Sequence, residues 1–309
     1  MGNFLKNISP FNNRTEMPKW TFILKKVLVF FFCYAAGLGI AEGLAILLHF
    51  VCGKNIFKGE MFDDWTIGLI TYYGYCVMLA VTLLYWKFIQ RKPLKEMGLT
   101  KRFNVFFLGA VIGVLLVSLS LCLVVFTGNI EYLGHSKNSY VLSFLLLLGG
   151  FIIQGGAEEV LCRGLVFHSL QEKCSLKTAF IISTCLFILP HVSSLFVGGA
   201  VYGVIGVINL ILISAVFSGL TMYFKNVWAA WGVHSFWNAL LYGIFGLNLS
   251  GNQGQSRAIF YFHNARKNIW NGGEYGIEAS LITSFVLLGC LAVMYLLYKR
   301  KAKKDKETA

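Results

Sequence analysis

A chain of 309 residues that is 57% hydrophobic and 13% charged, with a mean hydropathy of +0.66, cannot be an ordinary soluble domain. Soluble domains carry roughly 25% charged residues and break their apolar runs with polar faces. The net charge of +13 raises the question of nucleic acid, but the placement of the basic residues along the chain points to a membrane instead.

Residues 1–26 form a basic N-terminal segment ending in Lys25 and Lys26. The apolar stretch that follows is too long for a cleavable signal, so it reads as a retained anchor. Met1-Gly2 is followed by Lys6, where an acylation motif needs Ser or Thr, which argues against a myristoyl anchor. At the roughly 20 residues a bilayer-crossing helix needs, eight apolar stretches follow, at 27–51, 66–88, 105–127, 140–153, 178–196, 201–224, 228–247 and 279–298. A basic tail, 299–309, ends the chain. The expected fold is therefore all-α: one polytopic transmembrane bundle of about eight spans over 27–298, with no appended soluble domain.

With the N-terminus cytoplasmic, eight spans return the C-terminus to the same side, and 21 of the 27 Lys and Arg residues then face the cytoplasm. Basic residues resist translocation, so the even span count and the inward N-terminus support each other. The tail is expected to lie on anionic lipid head groups. Nucleic acid is not an expected partner. Of the eight cysteines, Cys33, Cys76, Cys122, Cys185 and Cys290 fall in apolar spans, and no C-x-x-C pair spells a metal or redox site. They read as small apolar fillers of helix interfaces. His49, His135, His168 and His263 read as interfacial or loop residues. Glu42 in the first span has no evident role beyond a polar packing contact, with His49 roughly on its face. The loop 248–278, rich in Gly and Asn, reads either as an interfacial cap or as a solvated connector.

From Gly149 onward, ionisable and amide side chains enter the apolar stretches, where each is costly and marks function by default. Glu159 and Arg163 stand four apart on one helix face, acid before base, the favourable order. Glu158 is turned about 100° away, so the two adjacent carboxylates are expected to do different jobs. In Phe187-Ile188-Leu189-Pro190-His191 the proline removes a backbone donor and bends the helix just before the histidine. In His234-Ser235-Phe236-Trp237-Asn238 an imidazole and a carboxamide share a face and can both donate to one developing oxyanion.

The three pairs in this order, Glu158-Glu159-x-x-x-Arg163, Phe187-x-x-x-His191 and His234-x-x-x-Asn238, resemble the motifs of the CAAX-protease and bacteriocin-processing (Abi) family, which includes the Ras-converting CAAX endopeptidase. The resemblance covers Gly149 to about Gly246, and Cys162 stands where a Phe is common. It implies an intramembrane endopeptidase of a bacterial cell membrane acting on a hydrophobic or lipidated peptide, with no cofactor. Glu158 would be the general base, sharing the attacking water with His191. His234 and Asn238 would form the oxyanion hole, and Glu159 and Arg163 a structural pair.

Other membrane proteases fit less well. There is no H-E-x-x-H and no G-x-S-x-G, and the aspartates, Asp63, Asp64 and Asp305, lie in a loop and the tail. A zinc site made of Glu158, His191 and His234 remains an alternative. So do a non-enzymatic immunity or scaffold protein and a proton-relay transporter. Binding alone gives no reason for an acid, two imidazoles and a carboxamide together.

Overall fold

The computed structural model describes residues 2–137, 140–196, 198–254, 257–264 and 266–307. Met1, part of the loop 248–278 and the last two residues of the tail lie outside the described residues. The short α1 (Gly2–Ile8) is followed by α2 (Lys19–Val51), then α3 (Asp64–Leu84), which a π-helical turn carries on through Tyr85–Ile89. Next come α4 (Val105–Phe126), α5 (Val141–Glu159), a π-helical stretch Val160–Phe167 and α6 (His168–Gln171). The chain continues with α7 (Leu176–Ile188), a 3-10 turn Leu189–His191, α8 (Val192–Leu195) and α9 (Ala200–Phe224). Last are α10 (Trp228–Ala239) with a π-helical turn Leu240–Ile244, and α11 (Leu281–Glu307).

Among the described residues seven helices are long and apolar enough to cross a membrane, and the chain is an integral multi-pass membrane protein. It resolves into two compact units, Met1–Arg102 with Leu145–Leu186, and Phe103–Phe144 with Phe187–Ala309.

In the first unit α2 and α3 run antiparallel. Gly37 sits so close to Met78 that an added Cβ would lie 2.6 Å from the Met78 Cα, while Gly74 faces Ala41. Gly149 and Gly150 of α5 let Tyr73 and Tyr72 of α3 approach its backbone, and the Tyr73 hydroxyl donates to the Leu146 carbonyl at 3.0 Å. Such close approach over small residues is how membrane helices associate, since lipid is as apolar as their side chains. The first span begins at Lys19 rather than at 27, and Lys25 and Lys26 are buried, not solvated flanks. Their amines are satisfied: Lys25 Nζ donates to Asn12 Oδ1 (2.7 Å) and the Arg14 carbonyl (2.8 Å), and Lys26 Nζ to Gln90 Oε1 (3.0 Å). Lys92 pairs with Glu172 at 2.6 Å. The N-terminal segment, the loop around 90 and the turn at 172 thus meet at one end of this unit.

In the second unit α4 and α10 are parallel. Gly109 lies against Ala229 and Gly113 against Val233, where an added Cβ would stand 2.1 and 2.6 Å from the respective carbonyl oxygens. The strands β1 (Ile130–His135) and β2 (Phe260–Asn264) follow these two helices. They pair antiparallel, Ile130 with Asn264 and His135 with Phe260, around an irregularity between Tyr132 and Gly134. The segment 248–278 is therefore more than a connector. α9 and α11 are also parallel: Ser284 donates to Asn209 Oδ1 at 2.7 Å, and Lys301 to the Tyr223 carbonyl at 3.1 Å.

Two parallel helices need the chain to return between them, and α10 is that return. At 12 residues it is too short to count among the seven, and nine of those residues are buried. Apolar character there serves protein packing rather than lipid contact.

Several smaller expectations are corrected. His168 lies in α6 with Nδ1 2.6 Å from the Arg163 carbonyl, not in a loop. His49 is buried, with Nδ1 2.8 Å from its own helix's Ala45 carbonyl, while Glu42 is exposed. Of the cysteines named in spans, Cys33 is a buried filler, whereas Cys76, Cys122 and Cys185 are exposed.

Candidate active site

The glutamate segment belongs to the first unit. Polar groups inside an apolar helix must find partners within reach, and the i,i+4 spacing supplies one: Arg163 Nη1 lies 3.1 Å from Glu159 Oε1, with both side chains fully buried. Glu158, one residue earlier, keeps part of its surface accessible, and its Oε1 accepts from Gln154 Nε2 at 3.1 Å, one turn back. The α-helix widens to π-helical geometry from Val160 to Phe167, directly after the carboxylates. Single π-helical turns recur at functional sites because they break the side-chain register of the helix; here the widened stretch is eight residues. It is braced by Ser183, whose hydroxyl donates to the Cys162 carbonyl at 2.9 Å. Gly164 lets Met97 approach, with an added Cβ 3.1 Å from the Met97 carbonyl oxygen. Tyr34 and Tyr75 are close enough to Glu158 to interact with its charge. They lie in the first two spans, which sequence reasoning passed over as having few polar groups.

The two histidine motifs belong to the second unit. At Pro190 the helix tightens to a 3-10 turn ending on His191, as a residue without an amide hydrogen demands. His191 Nδ1 lies 3.0 Å from the Phe187 carbonyl. A carbonyl only accepts, so Nδ1 carries the hydrogen and Nε2 is the ring atom left to act as a base. The rings of His191 and His234 both pack on Phe187, with centroids 5.3 and 6.0 Å away. His234 also stacks on Phe217 at 5.2 Å. His234 and Asn238 are each only 6% exposed on α10. Phe217, one of many apolar residues in its span, gave no signal in the sequence.

A second carboxylate, missed in the sequence, stands beside this motif. Glu278 Oε1 accepts from Trp237 Nε1 at 3.1 Å, and Oε2 from the Ser250 amide at 2.6 Å and its hydroxyl at 3.3 Å. Burial raises its pKa above the usual carboxylate range, an effect opposed by the hydrogen bonds from the Ser250 amide and Trp237. Only its position at the end of a Gly-rich loop was visible beforehand.

If a zinc ion were held here, His191 would have to bind through Nε2, because Nδ1 is occupied by the Phe187 carbonyl. Within either unit, no group of three or more His, Cys, Asp or Glu side chains able to hold a metal stands among the described residues.

Residues 140–240, the stretch that contains all three motifs, match the family model of Rce1-like type II CAAX prenyl endopeptidases. No curated protein and no solved structure shows a comparable match. The match supports a CAAX-type intramembrane protease in general, and it runs from the start of α5 to the end of α10.

Proposed function

We propose that this protein is an intramembrane endopeptidase that hydrolyses a hydrophobic or lipidated peptide, of the CAAX type or a processed peptide, with water activated by glutamate and histidine. The observation that carries the reading is the divided fate of two adjacent glutamates. Glu159 is sealed against Arg163, while Glu158 stays partly accessible and accepts from the neutral amide of Gln154.

In this reading Glu158 takes a proton from the attacking water and delivers it to the leaving amine. His191, basic at Nε2, shares that water. As the scissile carbonyl becomes tetrahedral, His234 and Asn238 donate to its oxygen, and their burial strengthens those bonds relative to water. Glu159 and Arg163 hold the helix. The chain is read as lying in a bacterial cell membrane with both termini cytoplasmic.

The test uses purified, detergent-solubilised protein and a quenched fluorescent farnesylated CAAX peptide, with products identified by mass spectrometry. Glu158→Gln is expected to abolish cleavage while melting like the parent. Normal turnover by that variant would sink the assignment. Elemental analysis and exhaustive chelation run in parallel. About one zinc per chain, with activity lost on chelation and restored by zinc alone, would replace the glutamate–water mechanism while keeping its residues.

A further inference from the structure

The carboxylate of Glu278 is used by none of the three motifs, yet it is half-buried in the second unit and both of its oxygens face donors. A carboxyl group in that setting is built to accept, and three donors on two oxygens fix it in one orientation. One of the donors is the indole of Trp237, between His234 and Asn238 in sequence and immediately beside Asn238. The backbone around Glu278 is held just as firmly. Asn209 Nδ2 donates to the carbonyls of Glu278 (2.8 Å) and Ser280 (2.9 Å), and Ser284 donates to Asn209 Oδ1. The same loop end packs beside the second motif: Tyr275 and Ala279 form one buried cluster with Leu195 of α8, the helix that begins directly after His191.

We propose that Glu278 is a positioning residue for the histidine half of the site, holding Trp237, and through it the His234–Asn238 face of α10, in register with the loop end packed beyond His191. This rests on the proteolytic reading for its consequence in catalysis, but the arrangement itself does not. The glycine contacts with α4 fix where α10 lies, and His234 packs on Phe187 and Phe217; the bond from Trp237 to Glu278 adds a directional hold on the rotation of the helix. The buried Trp237 indole is a long lever on that helix. A small turn of α10 moves the oxyanion donors off the position where charge develops, a loss felt in turnover rather than in binding.

The experiment compares Trp237→Phe, which removes only the N–H, with Glu278→Gln and the double variant, using the same farnesylated peptide. Each single change is expected to lower kcat roughly tenfold, the value of one charge-assisted hydrogen bond, with KM within about twofold. The double variant should be no slower than the slower single, because both act through one bond. Losses that multiply, or a Trp237→Phe enzyme with unchanged kcat, would overturn the proposal. Hydrogen exchange and the indole resonance of Trp237 in ¹⁵N-tryptophan protein give a readout free of activity. Glu278→Gln should shift that resonance and speed exchange in Trp228–Ala239, whereas Glu274→Gln, at an exposed residue paired with Lys267, should do neither. If the parent cleaves no peptide, the proteolytic reading fails and these two measurements alone decide the positioning role. An unmoved resonance with unchanged exchange rejects it.

Discussion

The glutamate segment of the first unit and the histidine segments of the second solve one problem in different ways. Both must keep polar chemistry inside apolar helices. In the first, a full ion pair is completed within one helix, Glu159 to Arg163, and the backbone widens around it. In the second, the imidazoles are held by rings and carbonyls: His191 by the Phe187 carbonyl, His234 between Phe187 and Phe217. The difference follows from charge. An ionised pair in low dielectric needs its counter-charge at contact distance, whereas a neutral imidazole needs only one acceptor and a flat neighbour. The first arrangement is local in sequence; the second draws residues from three helices.

The comparison is most sharply broken at the ion pair. Arg163→Leu strands a buried carboxylate and should cost about 3–5 kcal/mol, or yield no folded protein. Replacing both partners, Glu159→Leu with Arg163→Leu, should recover most of that loss. The measurement is thermal unfolding of detergent-solubilised protein. A single variant as stable as the parent would mean that the pair is not what holds Glu159.

In the histidine half the expected effect moves from stability to rate. His234→Ala should lower turnover about 10²–10³-fold, as loss of one oxyanion donor does, with substrate binding retained. Steady-state kinetics against a binding titration separate the two. A rise in KM with kcat intact would make His234 a binding residue instead.

A smaller effect is expected where the second unit sets the height of α10. A Cβ added at Gly232 would lie 2.2 Å from the Phe106 carbonyl oxygen. Gly232→Ala should therefore push α10 from α4 and cost about 1–3 kcal/mol, with a fall in kcat alongside. Gly39→Ala, where nothing stands within 4 Å, is the control and should be neutral in both assays.

The least energetic test concerns sidedness. Cysteine labels in the loop 87–102 and in the tail should react from the cytoplasm, and labels in 248–254 from outside. In the second unit the tail meets Tyr223 and the strands cap the ends of α4 and α10, so the labels there should divide cleanly between sides. Labelling of 87–102 from outside in intact cells would reverse the orientation.

The helices and their apolar character were legible because a bilayer imposes a length and a composition that each segment must meet on its own. The Glu159–Arg163 contact was legible for a similar reason: i,i+4 spacing is a property of the helix, independent of its neighbours. Pro190 announced the tightened turn before His191 by lacking a hydrogen. What the sequence left dark came from distant parts of the chain. The burial of Lys25 and Lys26 required Asn12 and Gln90 to arrive beside them. α10 looked like any other span, and its burial came from packing against α4 and α9. Phe217 became a wall for His234, and Glu278 a partner of Trp237, through packing between segments 17 and 41 residues apart. Local spacing and hydropathy act through the chain's own geometry and can be read one segment at a time. Which ring faces which imidazole, and which carboxylate takes the indole hydrogen, is set by where helices cross, and that was decided only by the tertiary structure.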